Sequence, residues 1–107
     1  MTCSLPPEPE LLQPTSITVA GYAELRVTAT APIAPCLGLD PTHWIITGPY
    51  GEEGLLDIDI FAGGINLSTE TPAAQVSHVL YDGGDPCLKD AEGTRLAAFS
   101  VDVPYAA

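Results

Sequence analysis

Basic residues are nearly missing from this chain of 107 residues. Arg26, Lys89 and Arg95 face fourteen acidic residues, for a formal charge of −11. Nucleic-acid binding draws on Lys and Arg to release counterions from phosphates, and no basic patch can be assembled from three cations. Anionic membrane surfaces are excluded by the same shortage. Neutral or basic surfaces, cations and neutral small molecules remain as partners. Charged residues make up only 16% of the chain, so the acidity reflects missing Lys more than abundant carboxylate.

Long apolar runs are lacking too: none approaches the ~20 residues that span a bilayer. The start, Met1-Thr2-Cys3-Ser4-Leu5-Pro6-Pro7, has neither the basic nor the apolar region of a signal peptide. A cytoplasmic product is the expectation, with a virion as an eventual destination. Cysteine is scarce and odd in number. Cys3, Cys36 and Cys87 show no close spacing, so reduced thiols are expected, with a Cys36–Cys87 bridge as the alternative outside the cell. No window carries a helical stripe longer than two turns, which excludes a helical body.

What is present is alternation. From Thr15 to Ala31 the odd positions include Ile17, Val19, Leu25 and Val27, whereas the even ones include Ser16, Thr18, Glu24, Arg26, Thr28 and Thr30. Only a strand, whose side chains flip face at each residue, sorts a sequence in this way. Gly21 marks a bend, a bulge or a split of that run. Shorter strands are expected over 42–47, 55–62, 65–69, 74–81 and 94–103. Gly63-Gly64 would supply the positive φ of a hairpin between the second and third of these. Within 94–103, Ala97, Phe99, Val101 and Val103 share one face. Residues 48–54 read as a turn, and residues 73–76 as at most a turn of helix.

The eleven prolines and ten glycines punctuate these runs. Residues 1–14, with Pro6, Pro7, Pro9 and Pro14, read as an extended arm anchored by Leu5, Leu11 and Leu12. Residues 15–107 read as a single domain. The expected architecture is all-β, a small antiparallel sandwich or barrel of about six to seven strands. An immunoglobulin-type signature sets two cysteines around a buried Trp, and Cys36, Trp44 and Cys87 stand in that order. Cys36 lies in a Pro-rich connection and Cys87 in a polar loop, whereas the immunoglobulin cysteines sit in strands. Only the order is similar, so the general sandwich architecture is retained.

Chemistry is thinly represented. Asp82, Asp85, Asp90 and Glu92 lie on a glycine-rich loop and are the candidate calcium ligands, although no Glu closes the loop at its twelfth position and Lys89 intrudes. Asp57 and Asp59 have the spacing of paired glycosidase carboxylates, yet an i, i+2 acidic pair is ordinary on a wet sheet face. His43 and His78 lack zinc spacing with each other or with cysteine. His78 alternates with Val76 and Leu80, which predicts a hydrogen-bonded, half-buried ring. Ser77 and His78 are neighbours, point to opposite faces of a strand and cannot pair, and no nucleophile elbow is present. Trp44 and the tyrosines are scattered, as core and rim aromatics usually are.

These features favour a structural or interaction module with no catalytic residues and no cofactor. Other protein subunits are the expected partners, as a homo-oligomer or a larger shell. A capsid decoration or cement protein of a phage is the favoured form, by analogy of architecture. Leu5, Leu11, Leu12, Val101, Val103 and Tyr105 are the expected interface residues. A glycan- or calcium-binding module is the alternative.

Overall fold

The computed structural model describes residues 11–107. The long alternating run folds back on itself as two strands, β1 (Pro14–Gly21) and β2 (Glu24–Ala29), with Tyr22-Ala23 at the turn. Pairs such as Ile17↔Val27 and Val19↔Leu25 match odd with odd positions, so the apolar set stays on one face across the turn. Thr15 and Ala20 fall at register shifts. The first shift brings both Thr15 and Ser16 to Thr28, whose hydroxyl lies 2.8 Å and 2.6 Å from theirs.

The other strands are β3 (Trp44–Gly48), β4 (Gly51–Glu53), β5 (Asp57–Phe61), β6 (Gly64–Ser68), β7 (His78–Tyr81), β8 (Phe99–Asp102) and β9 (Tyr105–Ala106). They form two antiparallel sheets: five strands in the order β5-β6-β2-β1-β9, and four in the order β4-β3-β7-β8. Among the described residues the only helical pieces are two 3-10 turns, Pro41–His43 and Ala73–Gln75. Among the described residues no helix is long and apolar enough to cross a membrane.

Among the described residues nine strands replace the expected six to seven. The segment expected as a turn folds as the β3–β4 hairpin, because Gly48 and Gly51 pair across Pro49-Tyr50. At the β5–β6 hairpin the positive φ falls on Ala62 (50°) and Gly63 (80°) rather than on Gly63-Gly64. Phe61↔Gly64 closes that two-residue turn, so a β-carbon occupies a position that favours Gly or Asn. The expected strand over 94–103 is only β8. Its first part is diverted, with Leu96 N–H donating to Leu88 O and Ala97 N–H to Leu12 O, each at 2.9 Å. After Pro104 the chain changes sheets, and β9 pairs with β1.

One core serves both sheets. Ile17, Leu25, Val27, Ile65 and Leu67 come from the larger sheet, and Trp44, Ile46, Val79 and Tyr81 from the smaller. Trp44 stacks on Tyr81 with ring centroids 4.6 Å apart and meets Phe99 edge-on at 5.6 Å. Connecting segments contribute Leu12, Ile33, Leu88 and Leu96. Aromatic and aliphatic burial of this kind contributes roughly 1.5–3 kcal/mol per large side chain.

Candidate functional site

The acidic loop folds around its own backbone. Asp82 Oδ1 accepts from Gly84 N–H at 2.7 Å and from His43 Nδ1 at 2.9 Å. Asp85 is fully buried. Its two oxygens accept from Cys87 N–H at 2.9 Å and Asp40 N–H at 3.0 Å. The Tyr81 hydroxyl donates to Asp85 O and accepts from Asp85 N–H. Asp90 Oδ1 accepts from the N–H groups of Glu92 and Thr94, both at 2.9 Å. Glu92 is exposed. A hard cation needs carboxylate oxygens that converge on one point. Here the oxygens of Asp82, Asp85 and Asp90 turn to separate amides. Among the described residues no group of three or more His, Cys, Asp or Glu is placed to hold a metal ion.

Cys36 and Cys87 form a disulfide, with Cα atoms 5.6 Å apart, which corrects the expectation of reduced thiols. The bond ties the Pro-rich connection to the acidic loop. Sequence spacing gave no sign of it because 51 positions separate the partners and folding alone brings the two loops together.

Beside that junction His43 sits between two carboxylates, Asp82 at 2.9 Å from Nδ1 and Asp40 at 3.7 Å from Nε2. The hydrogen bond to Asp82 holds the imidazole pKa above its ordinary value, helped by the charge of both acids. The same bond holds Asp82 below the usual carboxylate range, with the Gly84 amide assisting. Asp40 is lowered by hydrogen bonds from the Thr42 side chain and amide, as befits the cap of the Pro41–His43 turn. Burial pushes the Tyr81 phenol up.

The expected interface residues have mixed fates. Leu5 lies outside the described residues. Leu12 is in the core, and Leu11 is 46% exposed. Val101, Val103 and Tyr105 are partly buried against the domain's own core. Among the described residues the most exposed apolar side chains are others: Leu37 at 98%, Tyr50 at 97% and Tyr22 at 83%. Phe61 and Leu56 follow at 66% and 64%. Leu37 lines a hollow of about 310 Å³ with Pro35, Cys36, Asp59 and Ile60, against β5, an edge among the described strands. Leu56 precedes that strand and Phe61 ends it. Asp57 and Asp59 are exposed there, and Asp57 Oδ1 accepts from Ile58 N–H at 2.8 Å.

The fold also makes a pairing that linear spacing hides. His78 lies across from Asp102 in the β7–β8 register, with Nδ1 2.9 Å from Asp102 Oδ1 and Nε2 2.6 Å from Ser100 Oγ. The ring is half-buried and hydrogen-bonded, as alternation predicts. Its partners stand 24 and 22 residues away, so only the strand pairing reveals them.

Comparisons with known protein families, characterised proteins and solved structures find no match.

Proposed function

We propose that this chain is a structural interaction module that docks onto a larger protein assembly, with a capsid decoration or cement protein as its particular form. Its two sheets are read as a β-sandwich, supported by the single core to which both contribute. The observation that carries the reading is the set of exposed apolar side chains along β5. Three large apolar side chains, Leu37, Leu56 and Phe61, stand at least 64% exposed on or beside a strand that is an edge among the described strands. Asp57 and Asp59 stand between Leu56 and Phe61.

Burying such a patch removes apolar surface from water at about 25 cal/mol per Å². An acidic border selects a partner whose apolar centre is ringed by Lys or Arg, and a net charge of −11 discourages self-association at low salt. Copies of this chain can therefore meet through the patch only when salt screens their repulsion.

Light scattering of the purified chain across a salt series tests this. Monomers are expected at low salt, and association through the patch at high salt. A Leu37→Ser, Phe61→Ser variant should stay monomeric throughout with an unchanged melting temperature. A wild-type chain indistinguishable from that variant at every salt concentration removes the patch as a docking surface. A melting temperature that climbs with millimolar calcium would turn the reading to the ion-binding alternative.

A further inference from the structure

We infer that Ser100, His78 and Asp102 form a nucleophilic site that accepts acyl groups from esters with small apolar acyl chains. This goes beyond docking and rests on a different face of the molecule. The three side chains project from the outer face of β7 and β8, opposite Val79 and Tyr81, which are buried.

Strand pairing holds the geometry. Val103 N–H donates to Ser77 O at 3.0 Å, which makes Ser77 and Val103 a hydrogen-bonded pair. His78↔Asp102 and Leu80↔Ser100 are then the intervening non-hydrogen-bonded pairs, whose side chains stand closest. A carboxylate accepts only, so the His78 tautomer that bonds to Asp102 carries its proton on Nδ1 and donates it to Oδ1. Nε2 is left with its lone pair toward the Ser100 hydroxyl. That is the arrangement of nucleophile, base and orienting acid that acyl transfer requires.

The same alternation turns the backbone N–H groups of Ser100 and Asp102 away from β7. Among the described strands β8 is an edge with no further neighbour, so those donors face an open side. Negative charge developing on the oxygen of a carbonyl whose carbon is bonded to Ser100 Oγ would meet the Ser100 N–H on that open side. Next to it lies a shallow, open and largely apolar depression lined by Leu80, Tyr81, Asp82, Ala98, Phe99 and Ser100. A short acyl chain can lie along that depression.

The reaction balances with water as the second reactant. Ser100 Oγ bonds to the ester carbonyl carbon while its proton passes to His78 Nε2. The C=O electron pair moves to oxygen, then returns and breaks the C–O bond to the alcohol. The alcohol leaves with the proton from Nε2. Water, deprotonated by His78, then releases the acid and restores Ser100. In this scheme Asp102 is a positioning residue. It touches only the imidazole.

The folded chain incubated with p-nitrophenyl butyrate tests the site, with the adduct located by peptide mass spectrometry. Ser77 is the internal reference, because its hydroxyl donates to Thr47 O at 3.2 Å and points to the other face from His78. Acylation of Ser100 should outpace that of Ser77 by about 100-fold, the lower range for general-base assistance. His78→Gln should bring Ser100 to the Ser77 rate, and Ser100→Ala should abolish the adduct at that position. Asp102→Asn should slow acylation roughly tenfold without moving the half-saturating ester concentration. Melting temperatures within a few degrees of wild type show that each variant is folded, since all three side chains lie on the outer face. Ser100 acylation no faster than that of Ser77, or undiminished in His78→Gln, overturns the inference.

Discussion

The five-stranded sheet and the segment from Asp82 to Ala97 belong to one domain but are held by opposite means. In the sheet, alternating aliphatic residues fill one face, and the backbone is satisfied strand to strand. The loop segment has almost no ladder. Its amides are met by the carboxylates of Asp82, Asp85 and Asp90, and a disulfide to Cys36 anchors it. Leu88 and Leu96 then reach from it into the common core. Acidic residues that read as ion ligands here accept from backbone amides where strands are absent, and an unpaired buried amide costs about 1–3 kcal/mol.

Breaking the anchor should show the contrast most strongly. Cys36→Ser with Cys87→Ser frees a loop closed across 51 positions, and chain entropy sets the loss near ~4 kcal/mol. Urea unfolding measures the total. Amide exchange should accelerate first in 82–97, well before β2 and β6. Uniform acceleration would mean that the loop and the sheet open as one unit.

Next in size is the buried cap. Asp85→Ala leaves the amides of Asp40 and Cys87 without acceptors and should cost about 3 kcal/mol. Asp90→Ala, whose carboxylate is more accessible, should cost less by the same urea assay. Equal losses would show that burial is not what separates the two caps.

A gain is expected on the sheet side. Ala62 holds φ at 50° in the β5–β6 turn, where an L-residue is strained. Ala62→Gly should stabilise the domain by about 0.5 kcal/mol, visible as a small rise in melting temperature. A fall would place the turn's strain elsewhere.

The smallest effect should come from His43 and its acids, and it sharpens the contrast through pH. Raising the folded pKa of His43 gives stability that is present below its unfolded value of 6.5 and lost as pH rises through the raised folded value. Lowering that of Asp82 gives stability present above 3.8 and lost as pH falls through the lowered value. The melting temperature should therefore peak between these limits. His43→Gln should flatten its alkaline side, and an unchanged profile would detach the pair from stability.

The strand-built half was largely legible in sequence. Ile17, Leu25, Val27, Ile58, Ile65 and Leu67 announce their faces by simple alternation, since a strand's period is fixed by its backbone. Illegible were features made by contacts distant in the chain. The Cys36–Cys87 bridge stands in the sequence only as an alternative, because nothing near Cys36 selects Cys87. Ser77 beside His78 draws attention to the wrong hydroxyl, while Ser100 and Asp102 arrive by strand pairing. Leu12, read as an arm anchor, is claimed by Leu96 and the core.

By itself the sequence determined the all-β class, the apolar faces and most turns, because backbone periodicity and turn chemistry act over a few residues. It also determined the acidic surface, since charge needs no fold to be counted. Tertiary structure alone decided the sheet order, the disulfide, the uses of the carboxylates and the neighbours of His78. Each depends on which distant segments meet, and that follows from burying both sheets' apolar faces in one core.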